Sequence, residues 1–194
     1  MELQTLIALL TFAFASTVSP GPNNIMLMTS GANVGFIRTI PHMLGITLGF
    51  SFMVILVGVG LMQVFAKWPL LQQILQVLCI AYLVYLALKI ALSKPSRHSC
   101  AYRPMSFLAA ANFQWINPKA WSMALTAVSV YNINGTWQGV LVVSLCFALV
   151  NIPSVSIWAY AGQKLQRWLS CDRRLRGFNL VMAALLLLSL LMMF

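Results

Sequence analysis

A chain of 194 residues in which 61% are hydrophobic and 7% are charged cannot clothe a soluble surface, because soluble domains carry about 25% charged residues. Twelve Lys and Arg stand against Glu2 and Asp172. They sit in short gaps between apolar runs, which reads as membrane topology and excludes the basic stripe of a nucleic-acid-binding protein.

The first apolar run is Leu3 to Val18. Ala13-Phe14-Ala15 resembles a cleavage site, but a signal peptide opens on positive charge and only Glu2 precedes the run, so a retained helix is predicted. It ends at Ser19-Pro20-Gly21-Pro22-Asn23-Asn24, and a weaker apolar stretch, Ile25 to Ile37, leads to Arg38. Run two is Pro41 to Met62 and run three is Trp68 to Leu92. After a polar loop, run four spans Met105 to Tyr131 with an interruption at Asn117-Pro118-Lys119. Run five spans Trp137 to Ala161 with an interruption at Asn151-Ile152-Pro153, and run six is Gly177 to Phe194.

Six helices of about 20 residues nearly exhaust the chain. The prediction is an all-α membrane protein of six transmembrane helices forming one domain over 1–194, with no room for a soluble domain of normal size. Six crossings put both termini on the side that holds only Lys67. The opposite side collects Arg38, Lys89, Lys94, Arg97, Arg103, Lys164, Arg167, Arg173, Arg174 and Arg176, so it is expected to be cytoplasmic and both termini periplasmic. Trp68 and Trp137 open runs three and five, as interfacial anchors do. The breaks at Pro20 and Pro118 lie 98 residues apart, each late in the first helix of a three-helix half (approximately 1–97 and 98–194). Halves with an odd number of helices insert in opposite senses, which is the inverted-repeat plan of many secondary transporters.

Three polar segments could carry chemistry. At Pro20-Gly21-Pro22-Asn23-Asn24, two prolines remove two backbone donors, Gly21 permits a sharp turn, and two amides add donors and acceptors beside the freed carbonyls. Broken backbone inside a bilayer must be buried in protein or line a wet cavity. Such a site suits a zwitterion, with carbonyls for an ammonium and helix N-terminal N–H groups for a carboxylate; the plainer alternative is an interfacial turn. Asn112, Gln114, Asn117, Pro118 and Lys119 crowd the middle of run four. An intramembrane lysine costs about 2.5–3.5 kcal/mol unless it pairs or reaches water, and no carboxylate lies in any run. A substrate carboxylate is one partner for Lys119; snorkelling to an interface is the other reading. Asn151 and Pro153 mark a third interruption, which a structural kink also explains.

The remaining features are weak. Gly31 with Gly35, and Gly45 with Gly49, are small-x-x-x-small pairs that permit close helix contact, with packing inside the monomer favoured over a homodimer. His42 is expected to be a satisfied interfacial histidine and His98 a solvated one. Asn134-Gly135-Thr136 matches a glycosylation sequon by chance. Cys79, Cys100, Cys146 and Cys171 show no C-x-x-C spacing, so no metal or disulfide is expected. No paired carboxylates, nucleophile–base set, phosphate loop or metal cluster is present in the sequence, which argues against an enzyme and against a cofactor.

Several of these pieces carry a resemblance. They are Ser19-Pro20-Gly21-Pro22-Asn23, Gly35-Phe36 with Arg38, Gly45-x-x-x-Gly49, Ala81-Tyr82-Leu83-x-Tyr85-Leu86 and Asn117-Pro118-Lys119-Ala120. In order and spacing, from about residue 10 to the end, the chain resembles the LysE/RhtB family of bacterial amino-acid exporters. The resemblance implies export of small amino acids from the cytoplasm, driven by the proton gradient. Many relatives carry Asp after Pro-Gly-Pro; here Asn23-Asn24 stands instead. That resembles the branch exporting cysteine and O-acetylserine, and it removes the expected proton-carrying carboxylate. The expectation is therefore efflux of small neutral amino acids across a bacterial inner membrane. Asn23, Asn24 and Asn117 would hydrogen-bond the substrate, and Lys119 would attract its carboxylate. A structural or assembly subunit without transport activity is the rival reading, and the polar residues near Asn117 count against it.

Overall fold

The computed structural model describes residues 2–61, 67–93, 102–132, 135–166 and 168–191. Among them there are eight α-helices and no strand: α1 Leu3–Val18, α2 Pro22–Val34, α3 Phe36–Leu56, α4 Pro69–Ala91, α5 Phe107–Ile116, α6 Pro118–Tyr131, α7 Trp137–Gln166 and α8 Asp172–Leu191. A π-helical turn, Val57–Leu61, extends α3, and a 3-10 turn, Trp168–Ser170, leads into α8. Lys94, Arg97, His98, Cys100, Asn134 and Arg167 lie outside the described residues.

Three stretches are long and apolar enough to cross a membrane: Phe36–Gly60, Gln73–Ala91 and Trp137–Gln166. The α1–α2 pair, bent by 58°, is a fourth if it forms one span. Their outer faces carry Leu44, Leu48 and Phe52 on α3, Val77, Ile80 and Val84 on α4, and Leu141, Leu145 and Leu149 on α7, all exposed. In hydrocarbon such faces are at ease, since lipid tails are as apolar as leucine.

Two sequence expectations need correction. Run five is not interrupted, because α7 is continuous over its 30 residues with Pro153 inside it. A membrane helix tolerates an internal proline where neighbouring groups serve the freed backbone. The last helix starts at Asp172, five residues before its apolar run, with the acidic side chain in its first turn, where the helix dipole favours it. The weak stretch after Pro22 is helical as α2, so run one and its sequel are two helices bent by 58° at their junction.

Small residues set the packing. α2 crosses α7 where Gly31 meets the Ala159 carbonyl and Gly162 meets the Met28 carbonyl, and a Cβ at either glycine would overlap that backbone. α3 crosses α5 in the same way, with Gly45 against Phe107 and Gly49 against Ala111. Of the two glycine pairs, Gly35 alone has another task. At φ 82° it joins α2 to α3 in a conformation that L side chains rarely adopt. Leu27, Ile46, Ala110, Val155 and Ala159 fill the space where these four helices meet. Gly31→Leu is expected to reduce folded protein severalfold, because backbone must move. Gly177→Leu, where nothing lies within 4 Å of an added Cβ, is expected to be silent. Size-exclusion yield in mild detergent checks both.

Candidate functional site

The first helix stops because Pro20 and Pro22 lack N–H groups. The carbonyls this leaves at the end of α1 are met by side chains from elsewhere. Asn24 Nδ2 donates to Thr17 O at 2.7 Å and Ser19 O at 2.8 Å. Trp158 Nε1, from α7, donates to Val18 O at 3.0 Å. Lys119 Nζ donates to Ser19 O and Ser19 Oγ, both at 2.8 Å, and to Pro20 O at 3.3 Å. A cation at a helix C-terminus is favourably placed against the dipole. α2 then begins at Pro22, the first helical position that proline prefers, and its first backbone bond is Ile25 N–H to Gly21 O. The N–H groups of Asn23 and Asn24 therefore lie ahead of the helical ladder.

The second break follows a different rule. A residue before proline is pushed out of the α region, and Asn117 is extended at φ −86° and ψ 107°. Its Oδ1 accepts from Lys119 N–H at 3.2 Å, capping α6, while Pro118 takes the first helical position. Gln114, one turn earlier on α5, reaches across to the first break: Asn23 Nδ2 donates to Gln114 Oε1 at 2.9 Å. The two breaks, remote in sequence, thus touch through an amide pair and a lysine.

Between them lies a cavity of about 30 Å³, room for about two waters and too little for an amino acid. Gly21, Pro22, Asn23, Asn24, Gln114, Asn117, Lys119 and Asn151 line it, together with Ser16, Thr17, Ile46, Phe50, Ala120 and Met123. The N-terminal ends of α2 and α6 and the C-terminal end of α1 all meet there. Asn151 enters from α7, with Nδ2 donating to Thr47 Oγ1 at 3.3 Å.

Most of the residues singled out by sequence come together here. Pro20 contributes only its carbonyl, with an exposed ring, and Pro118 sits beside the cavity as the start of α6. Asn112 is on the exposed side of α5, apart from the cavity. Lys119, which lacked any partner in the sequence, has three oxygen partners, all of them uncharged. Gly21 does not make a sharp turn: its backbone is fully extended, at φ 179° and ψ 176°. Glycine matters there for room, since an added Cβ would stand 3.0 Å from Lys119 Cδ and 3.1 Å from Nζ. His42 is not interfacial and satisfied; it is fully buried in α3, and its Nε2 has no hydrogen-bond partner among the described residues.

Sequence reasoning missed Thr17, Ser19, Thr47 and Trp158. Thr17 and Thr47 are polar residues in apolar runs, a signal that was available. Trp158 in an apolar run reads like any lipid-facing tryptophan, and only the fold shows that it caps α1.

A bundle of apolar helices, several long enough to cross a membrane, with the α1–α2 and α5–α6 junctions meeting at a small polar cavity, fits an integral membrane transporter. The chain belongs to the LysE type translocator family, whose model matches residues 14–191. That family consists of transporters and not enzymes. Among curated proteins the chain is 30% identical over 185 residues to a cysteine/O-acetylserine efflux protein of Klebsiella pneumoniae, covering 92% of this chain and 91% of the relative. It is 30% identical over 178 residues to the Escherichia coli protein of the same description, covering 91% and 90%, and 28% identical over 188 residues to that of Salmonella typhimurium, covering 96% and 95%. No solved structure matches.

Proposed function

We propose that this protein exports small neutral amino acids or close derivatives, of the cysteine and O-acetylserine class, across a bacterial inner membrane, driven by the proton gradient. The observation that carries the reading is the meeting of two helix breaks, with Lys119 between them, at a small polar cavity among the apolar helices. The likeness to cysteine/O-acetylserine efflux proteins over most of both chains supports the substrate class.

The Lys119 ammonium rests on the carbonyls at the end of α1. A zwitterion presents both of the charges this arrangement is built for. Its ammonium competes for the Ser19 and Pro20 carbonyls, and its carboxylate takes the released Lys119 and the N–H groups that open α2. The side chain must swing aside for this, because the cavity admits only water as it stands.

Six spans follow if α1–α2 and α5–α6 each form one broken span, alongside α3, α4, α7 and α8. Two inverted halves are supported by the exchange pattern: α1 of the first half packs on α7 of the second, and its equivalent α5 of the second packs on α3 of the first. The last helices of the halves, α4 and α8, pair with each other. Charge asymmetry then places both termini in the periplasm. A reporter fused after Phe194 is expected to be active only in its periplasmic form; a cytoplasmic signal would require an odd number of spans or the reverse orientation.

The function is tested by expressing the chain in a bacterium and comparing amino acids in the medium with a vector control. Cysteine, O-acetylserine or a small neutral relative is expected to accumulate faster. No difference in any amino acid, with the protein present in the membrane, would sink the reading.

A further inference from the structure

Proton-driven export needs a group that takes up and releases a proton, and the two carboxylates of the chain, Glu2 and Asp172, open α1's leader and α8, away from the cavity. We propose that His42 is the proton-carrying group of the transport cycle, on a buried polar path that runs from the central cavity past Ser154 to Ser30 and Tyr102. This rests on the proton-driven reading above and adds the residue that would serve it.

Placement is the first support. His42, Ile46 and Phe50 follow one another at spacings of four and so share one face of α3, and Ile46 and Phe50 line the cavity. His42 stands one turn beyond it.

The second support is unmet hydrogen bonding. Over 90% of buried polar groups in proteins are satisfied. Among the described residues only two buried side-chain atoms have no partner: His42 Nε2 and Ser154 Oγ. Both side chains are fully buried. Ser154 lies one turn along α7 from the cavity residue Asn151. The bonds Asn151–Thr47 and Ser144–Ser51 run α7 antiparallel to α3, which carries Ser154 toward the turn that holds His42. Two orphaned polar atoms on facing turns are what a water chain or a migrating proton requires.

The path continues on the other side of the ring. Ser30 Oγ lies 3.4 Å from His42 Nδ1 and 3.0 Å from the Tyr102 hydroxyl. Tyr102 belongs to the 102–106 segment, outside the helices. Imidazole has two nitrogens, so it can gain a proton at one and release one at the other.

The charged neighbourhood leaves this role to His42. α2 and α5 carry no titratable side chain. α3 itself adds Arg38, exposed one turn away, and the preceding segment adds Tyr102 and exposed Arg103. α6 adds Lys119, held on carbonyls at the cavity. α7 adds buried Cys146 and exposed Tyr160 and Lys164, the last two stacked on each other. An imidazolium at His42 would meet no fixed anion, so its partner is water. The step balances simply. A water-borne proton converts imidazole to imidazolium on the periplasm-facing side of the cycle, the same proton returns to water on the cytoplasmic side, and no bond of the substrate changes.

The test uses purified full-length protein in liposomes, with valinomycin and equal potassium holding the voltage at zero. For one-for-one exchange, a gradient of about one pH unit should sustain about tenfold accumulation of radiolabelled, reduced cysteine by the unmodified protein. His42→Gln is expected to bring that ratio to about one while slowing exchange of labelled for unlabelled cysteine less than about threefold. Equal gradient-driven accumulation by His42→Gln would overturn the assignment and leave proton-driven export intact. Failure of the unmodified protein to respond to the gradient would remove the proton-driven reading and this inference together. Should His42→Gln not fold, His98→Gln leaves His42 as the sole histidine for nitrogen-15 imidazole spectra. Its protonation state is expected to change on titration and to respond when cysteine is added. One unchanging protonation state to about pH 9, with and without cysteine, overturns the proposal.

Discussion

Lys119→Met is expected to lower export at least tenfold at matched protein amounts, while the protein level holds or rises. The ammonium makes three hydrogen bonds to the end of α1. If these were only a structural clamp, removing it would leave carbonyls bare and cut the yield. Yet Ser19 O keeps its bond from Asn24, Pro20 O belongs to an exposed residue, and an intramembrane charge worth about 2.5–3.5 kcal/mol is removed. Stability should therefore change little. Transport should change much, because a hydrogen bond to a charged group contributes about 1.5–3 kcal/mol, or about 10- to 150-fold in binding. Lys119→Arg keeps the charge and is expected to retain partial export, although the planar guanidinium does not reproduce an ammonium on three oxygens. An amino acid whose carboxylate is capped as an amide should be a poor substrate of the unmodified protein. Vesicle transport with immunoblot-matched samples reads all three. Normal transport by Lys119→Met would reduce the lysine to a clamp.

Gly21→Leu is expected to insert normally and lose most export, about tenfold or more, with overpacking in such a site worth about 1–3 kcal/mol. The reason is contact and not backbone freedom, since the extended φ of Gly21 suits any residue. A side chain there would push into Lys119 Cδ and Nζ, which an added Cβ alone would approach to 3.0 and 3.1 Å. Because the obstacle is the far end of a flexible side chain, the fold should survive while the lysine leaves its carbonyls. Gly21→Ala should fall between the two. Undiminished export by a well-expressed Gly21→Leu protein would return the segment to a simple connector.

These two residues also show where sequence reasoning reached the molecule and where it stopped. Apolar runs and prolines located both breaks, because missing N–H groups and the restraint on the residue before proline are local effects. α1 matched its run at both ends for the same reason. The partners of the freed carbonyls were another matter. Lys119 reaches back 100 positions to Ser19, and Trp158 reaches 140 to Val18, distances that only the packing of α1, α6 and α7 closes. Pro153 misled, because a proline reads as a break on local grounds but is absorbed inside α7. Gly21 lines the cavity as expected of its segment, but it leaves room for a lysine instead of making a turn. His42, near the start of run two, reads as interfacial, and its burial by Ser30 and Tyr102 has no local signature.

The most direct measurement of the central claim is counterflow by the purified protein alone. Liposomes loaded with a high concentration of unlabelled cysteine and diluted into a trace of labelled cysteine should take up label transiently above equilibrium, saturably, and much less with Lys119→Met. That outcome identifies a carrier whose site recognises a small amino acid. Label that only equilibrates, at a rate no greater than in protein-free liposomes, for cysteine, O-acetylserine and the other small neutral amino acids alike, would contradict it.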